Sequence, residues 1–309
     1  MTGSPRKRPD LCCQRITWQD IDLTPVQALV QLAKEEDLEG GGLRSGTKTP
    51  GDHSAALLPA DQKAKAYLRA RKELVVCGLP LAREVLAAYH PGLSLAPDCQ
   101  DGDFLRPGQS IASISGPVRA LLSAERPLLN FLQMLSGVST ETRRYVAALG
   151  ETSTRLLDTR KTTPGYRILE KYAVACGGAW NHRIGLFDRV MLKDNHIAAF
   201  GPEPKAATVE AVRRSRQKHP KMLVEMEVDA LEQIEYALAA EVDVIMLDNF
   251  ADEELHEAIK LIGDRACTEA SGGITIERLP RIAGIGLDFI STGALVHQSS
   301  WIDIGLDWE

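Results

Sequence analysis

Hydrophobic and polar positions change rhythm half-way along the chain. In the first half, the run from Lys63 to Arg71 alternates charged with small or apolar residues at a period of two. Its alanines favour helix by propensity, but the period is that of a half-buried strand, and a strand is predicted. Leu74 to Gly78 is read as continuing that sheet, Pro80 to Tyr89 as a helix with proline in its first turn, and Phe104 to Ile114 as a hairpin turning at Pro107-Gly108. A longer helical pattern lies between Gly116 and Ser136, with Leu121, Leu122, Leu128, Leu129, Leu132 and Leu135 on its apolar face. Pro127 interrupts it, so Glu125-Arg126 is expected at a bend, and on periodicity alone Arg126 is a solvated surface residue.

The second half consists of short β-rich runs, each followed by a helix-compatible stretch. Strands are predicted at Arg155 to Thr159, Arg189 to Leu192, Met222 to Met226, Val242 to Leu247, Ala266 to Ala270 and Leu287 to Ile290. Helices are predicted at Arg167 to Ala175, Thr208 to Lys218, Ala230 to Ala239, Glu253 to Ile262 and Ile276 to Ile282. Such alternation implies parallel strands joined by right-handed crossovers, hence an α/β barrel of about six strands, open or closed, or a doubly wound sheet. At the end of the chain, Ile302, Ile304, Leu306 and Trp308 alternate with polar residues or glycine. This reads as an antiparallel, half-buried strand returning to the N-terminal domain. The expected division is a disordered tail over 1–10, an N-terminal α+β sandwich domain with its linking helix over 11–136, the barrel over 137–295, and the returning strand over 296–309.

Composition adds exclusions. No apolar run approaches the roughly 18 residues that cross a bilayer, and no apolar stretch follows the basic N-terminus as in a secretory signal. A cytoplasmic protein is therefore expected. The six cysteines show no C-x-x-C spacing, so neither a zinc site nor a dithiol motif is indicated, and Cys176 reads as a small buried residue without chemistry. A net charge of −6 argues against general nucleic-acid binding. Its distribution says more. Residues 155–196 hold eight lysines and arginines against four acids, so this segment is +4 and the remainder −10. A basic island in an acidic protein suits a small anionic ligand.

The predicted barrel strands end in polar residues or glycine: Arg160-Lys161, Lys193-Asp194-Asn195-His196, Glu227, Asp248-Asn249, Ser271-Gly272-Gly273 and Ser291-Thr292-Gly293. The C-terminal ends of parallel strands line active sites. Arg160, Lys161, Arg183 and Lys193, with His182, are hydrogen-bond donors suited to carboxylate or phosphate. Glu227 and Asp248 can bind ribose hydroxyls, hold Mg²⁺ or stabilise a developing cation. The two glycine turns offer backbone N–H groups for phosphate, expected at helix N-termini. Taken singly, each feature has an ordinary explanation: a surface cation, a turn and cap, a loop, or, at Gly177-Gly178, a helix C-terminus. Their joint arrangement is what points to a site.

Seven runs then carry a resemblance: Glu125-Arg126-Pro-Leu-Leu-Asn130, Ser136-Gly137-Val-Ser-Thr140, Asp158-Thr-Arg-Lys-Thr-Thr-Pro-Gly165, Asn181-His-Arg183, Lys193-Asp-Asn-His196, Asp248-Asn249 and Glu269-Ala-Ser-Gly-Gly273. Together they resemble quinolinate phosphoribosyltransferase, a type II phosphoribosyltransferase of NAD biosynthesis. The resemblance runs from about Asp37 to the C-terminus and departs from the family pattern in the Gly-rich stretch near Glu39 to Gly51. It implies transfer of phosphoribose from phosphoribosyl pyrophosphate to quinolinate with Mg²⁺ and decarboxylation, giving nicotinate mononucleotide, pyrophosphate and CO₂.

It also implies a homo-oligomer, dimer or hexamer, in which an N-terminal domain covers the partner's barrel and Arg126 reaches the partner's site. Arg160, Lys161, Thr162, His182, Arg183 and Lys193 would then bind the substrates, and Glu227 and Asp248 would lie near ribose and metal. Ser271 to Gly273 and Ser291, Thr292 and Gly293 would contact phosphate. Lys161, Glu227 and Asp248 are the residues expected to act in catalysis. Three other readings stay open: a phosphoribosyltransferase acting on another anionic base such as nicotinate, a Schiff-base barrel aldolase using Lys161 or Lys193, and a non-catalytic anion-binding barrel.

Overall fold

The computed structural model describes residues 8–44 and 49–309. Most of the expected N-terminal tail, and residues 45–48 of the Gly-rich stretch, lie outside the described residues. The chain divides into two compact units that do not follow chain order. One comprises Ile16–Arg143, Thr163–Gly178 and Ser299–Glu309; the other comprises the N-terminal segment up to Arg15, Arg144–Thr162 and Ala179–Gln298.

The first unit begins with α1 (Leu23–Leu38), whose Asp22 side chain accepts the Thr24 N–H at 2.9 Å and so caps the helix start. There follow β1 (Lys63–Ala70), β2 (Leu74–Val75), α2 (Leu79–Tyr89), β3 (Ser94–Pro97), β4 (Phe104–Leu105), β5 (Ser110–Pro117) and the long helix α3 (Val118–Leu149). The period-two reading of β1 holds, because Ala66, Leu68 and Ala70 are buried while their neighbours are not. β1 is central in an antiparallel sheet of order β12-β1-β5-β3, where β12 (Ile304–Trp308) is the returning terminal strand. In β12 only Ile304 is fully buried, and Trp308 stays exposed.

Two expectations change here. The turn at Pro107-Gly108 forms, with Gly108 at φ +85°, but β4 pairs with β2 in a separate two-stranded sheet while β5 pairs with β1 and β3. The segment is therefore not a hairpin, and Leu74 does not continue the first sheet. The helical pattern also does not stop at Ser136, nor end at Pro127. Proline inside a helix costs roughly 3 kcal/mol. Leu121, Leu128, Leu132 and Leu135 are each essentially buried, and burial of such a side chain contributes about 1.5–3 kcal/mol, so the packed face outweighs the break. The unit also includes α4 (Arg167–Cys176), which ends at Gly177-Gly178 as expected. A Cβ on Gly177 would fall 2.5 Å from Thr142 Cβ, so that helix end needs glycine. Cys176 is half-buried rather than buried.

The second unit holds six parallel strands: β6 (Arg155–Leu157), β7 (Val190–Leu192), β8 (Val224–Val228), β9 (Val244–Asp248), β10 (Cys267–Ser271) and β11 (Phe289–Ser291). Their order is β6-β11-β10-β9-β8-β7, which leaves β6 and β7 as the edges of an open α/β barrel. Helices α5 (Asp194–Ala198), α6 (Pro204–Lys218), α7 (Leu231–Ala239), α8 (Asp252–Ile262), α9 (Leu279–Ile282) and α10 (Ala294–His297) fill the connections. The free side of β6 is met by Trp180, which bridges Leu157, and Gln14 bridges Asn181 in turn. Cys12 packs with Leu157, Val244, Cys267 and Phe289, closing the N-terminal end of the sheet.

Most barrel strands begin one or two residues later than the hydrophobic runs suggest, and β8, β9, β10 and β11 also end one or two residues later. Parallel strands covered on both faces read as apolar runs, so an acidic or hydroxyl strand end falls outside the pattern while still pairing. Asp248 and Ser271 are thus paired residues of β9 and β10, and Glu227 pairs with Met246.

Candidate active site

A cavity of about 670 Å³ opens at the C-terminal ends of the barrel strands. Of the fifteen residues expected in the site, thirteen line it: Arg160, Lys161, His182, Arg183, Lys193, Glu227, Asp248, Ser271, Gly272, Gly273, Ser291, Thr292 and Gly293. Thr162 does not, its hydroxyl lying 3.5 Å from the Arg160 carbonyl oxygen. Arg126 is exposed on α3 and is not among the lining residues. A cavity of about 820 Å³, larger than this one, lies elsewhere on the same unit between Arg8, Cys12, Arg216 and Cys267. It holds none of the expected residues.

The loop after β6 is set by its neighbours. Asp158, fully buried, accepts the Asn181 side-chain N–H and the His182 backbone N–H, each at 2.8 Å. This fixes the Asn-His-Arg run against the strand end. Lys161 crosses the second glycine turn closely enough that a Cβ on Gly293 would lie 2.8 Å from Lys161 Cδ and 2.9 Å from the His297 ring. Lys193, between β7 and α5, pairs with Glu227.

The first glycine turn is shaped differently from the expectation. Gly272 and Gly273 have φ of +82° and +58°, and α9 starts only at Leu279, so this turn is a free loop rather than a helix N-terminus. A Cβ on Gly272 would sit 2.2 Å from Asn249 Oδ1. Asn249, itself at φ +60°, donates to Asp248 at 2.8 Å, and its backbone N–H donates to the Ser271 carbonyl at 2.9 Å. Arg278 braces the turn from behind by donating to the Gly272 carbonyl at 3.2 Å and to Asp252 at 2.9 Å. The second turn does meet a helix, α10, but one of four residues.

Charge in the cavity is uncompensated in a specific way. Arg160 Nε and Ser291 Oγ are buried without a hydrogen-bond partner, and buried donors of this kind are normally satisfied by water or ligand. Burial pushes the Arg183 pKa down; Glu225 opposes the shift and the Arg160 charge adds to it. An incoming anion relieves both effects. Of the other cations in the basic island, Arg189 pairs with Glu225 at 2.8 Å, Arg155 pairs with Asp10, and Lys171 is fully buried in α4.

Several cavity residues carried no sequence signal, among them Thr275 and His297. His297 stands four residues after Gly293 across a helix too short to show a period.

Comparison with known proteins bears on this geometry. Residues 138–307 match the family description "Quinolinate phosphoribosyl transferase, C-terminal domain", and residues 52–136 match the N-terminal domain of the same family. The chain belongs to the quinolinate phosphoribosyl transferase family.

Within that family it is 42% identical over 258 residues to a Bacillus subtilis (strain 168) protein named "probable nicotinate-nucleotide pyrophosphorylase (carboxylating)", covering 83% of this chain and 88% of that one. It is 39% identical to the Mycobacterium leprae nicotinate-nucleotide pyrophosphorylase (carboxylating), covering 82% and 89% of the two chains. The structure of the nicotinate-nucleotide pyrophosphorylase from Francisella tularensis superposes with a TM-score of 0.86 at 36% identity, covering 94% of this chain and 98% of that one. Among the described residues no helix is long and apolar enough to cross a membrane.

Proposed function

We propose that the cavity performs phosphoribosyl transfer from phosphoribosyl pyrophosphate to quinolinate with loss of one carboxylate, yielding nicotinate mononucleotide, pyrophosphate and CO₂. The observation that carries this reading is the division of one cavity into three chemistries. Arg160, Lys161, His182, Arg183 and Lys193 supply cations, Glu227 and Asp248 supply acids, and the turns at Gly272-Gly273 and Gly293 supply close backbone approach.

Each part has a task. The cations fix a pyridine dicarboxylate, a proximity effect worth roughly 7–11 kcal/mol in favourable cases. As pyrophosphate departs, positive charge develops at the ribose C1, and the Glu227 and Asp248 carboxylates stabilise it electrostatically. Ring nitrogen attack makes the pyridine an electron sink, so the adjacent carboxylate can leave as CO₂ and the electron pair left on that ring carbon takes up a proton from solvent. Lys193, engaged with Glu227, is held to orient rather than to form a Schiff base. The hard oxygen donors of Glu227 and Asp248 fit Mg²⁺, directly or through water, and the ion would neutralise the leaving pyrophosphate.

The assembly completes the reading. Arg126, exposed on its own chain, is assigned to the quinolinate carboxylates of a neighbouring chain in a homo-oligomer. The six cysteines are free thiols, which supports a reducing, cytoplasmic setting. Steady-state assays with quinolinate and with nicotinate as alternative bases test the assignment. Turnover of quinolinate with little or none of nicotinate is expected; the reverse preference would refute it.

A further inference from the structure

Beneath the cavity lies a buried ionic cluster of which His182 alone has been given a part in binding substrate. Alternation along a strand puts Glu225 on the same face of β8 as Glu227, and Glu269 on the same face of β10 as Ser271, one layer deeper in each case. Both carboxylates are fully buried. His182 lines the cavity above them, and its Nε2 stands 3.2 Å from Glu225 Oε2 and 3.5 Å from Glu269 Oε2. Arg189, just before β7, donates to Glu225 at 2.8 Å and lies 3.3 Å from His182 Nε2. Asp158, at the end of β6, holds the His182 backbone N–H.

The two carboxylates are not equivalent. Glu225 already has the Arg189 guanidinium. Glu269 has no hydrogen-bond partner at either oxygen, and His182 is its one ion-pair partner among the described residues. A fully buried carboxylate without a counter-charge is costly, and truncating one partner of such a pair typically costs several kcal/mol. Arg189 is engaged by Glu225, which also feels the Arg183 charge, so an imidazolium at His182 is the counter-charge nearest to Glu269.

We propose that Glu269 is a positioning residue whose buried carboxylate, beside the Glu225–Arg189 pair, holds His182 as a fixed imidazolium in the cavity wall, where it faces the dianionic substrate. This rests on the reading of the cavity as a quinolinate site. Consistent with it, burial lowers the His182 pKa but Glu225 and then Glu269 outweigh burial and raise it to about 9. A histidine held this way stays charged across the neutral range, where an ordinary histidine would lose its proton.

The test combines two readouts on the full-length protein. In ¹⁵N-histidine-labelled protein, comparison with His182→Asn identifies the His182 ring among the seven histidines. It should remain doubly protonated at pH 7.5 without substrate. In Glu269→Gln its midpoint should fall by at least about one pH unit. The quinolinate KM of that variant should rise at least about threefold at pH 8.5, as a one-unit fall from about 9 dictates, yet stay near the parent value at pH 6, with kcat little changed. Glu269→Asp should recover part of the loss.

A neutral His182 at pH 7.5 in protein that turns over quinolinate would overturn the proposal and leave the functional reading standing. An unchanged midpoint in Glu269→Gln, or an equal KM increase at both pH values, would also overturn it. Absence of quinolinate turnover by the parent protein, whatever the state of His182, would overturn the functional reading and this proposal with it.

Discussion

Alanine at Gly272 and alanine at Gly293 probe the two glycine turns through different physics. At Gly272 the backbone is left-handed, φ +82°, a conformation that costs an alanine about 1–2 kcal/mol. The added Cβ would also lie 2.2 Å from Asn249 Oδ1 and 2.9 Å from the Asn249 backbone nitrogen. The amide side chain can rotate away, losing its bond to Asp248, which is worth about 1 kcal/mol net. The backbone nitrogen cannot, because its N–H is tied to the Ser271 carbonyl. Gly272→Ala should therefore lose about 2–4 kcal/mol of stability. At Gly293 the backbone is ordinary, φ −76°, and the atoms nearest the Cβ are Lys161 Cδ and the His297 ring, both on exposed side chains. Gly293→Ala should lose less than about 1 kcal/mol but displace two cavity residues, cutting kcat/KM for phosphoribosyl pyrophosphate by an order of magnitude or more. Urea unfolding followed by circular dichroism, with steady-state kinetics on the same preparations, separates the two. A Gly272→Ala protein as stable as the parent would refute the reasoning, as would a Gly293→Ala protein of unchanged kinetics.

Other outcomes follow from the same contacts. Asp158→Ala leaves the Asn181 amide and the His182 backbone N–H without this acceptor; calorimetry should show about 2–4 kcal/mol lost, with quinolinate binding weakened. His182 is raised to about 9 from an ordinary 6.5, so its contribution to stability is complete below about pH 6.5 and fades as pH rises through 9. The urea midpoint should fall over that range, and His182→Asn should flatten the fall. Arg126→Ala and Arg160→Ala should each be nearly inactive, while a mixture of the two allowed to exchange subunits should recover activity. A mixture no more active than its components would show that Arg126 does not serve a neighbouring site.

The row of polar strand ends was legible because six apolar runs each stop at functional side chains, and the structure gathers them round one cavity. Gly177-Gly178 and the alternation of β1 were legible for the same reason: local pattern and local structure agree. What was not legible depends on pairing between distant segments. β4 and β5 look like one hairpin until β2 and β1 claim them separately. Pro127 reads as a break until the leucine face around it is seen to be buried. Glu225 and Glu269 left a faint mark, each an acid inside a largely apolar strand, but their partners His182 and Arg189 come from elsewhere in the chain. Cys12 and the segment before Arg15 belong to the barrel unit only because the chain returns to it.

The coupling of ribosyl transfer to decarboxylation is tested most directly by single-turnover reaction of the purified protein with phosphoribosyl pyrophosphate, Mg²⁺ and quinolinate ¹³C-labelled at both carboxylates. Mass spectrometry should find nicotinate mononucleotide retaining one labelled carboxylate and an equal amount of labelled CO₂. A nucleotide retaining both labels, or no nucleotide at all, would contradict the account.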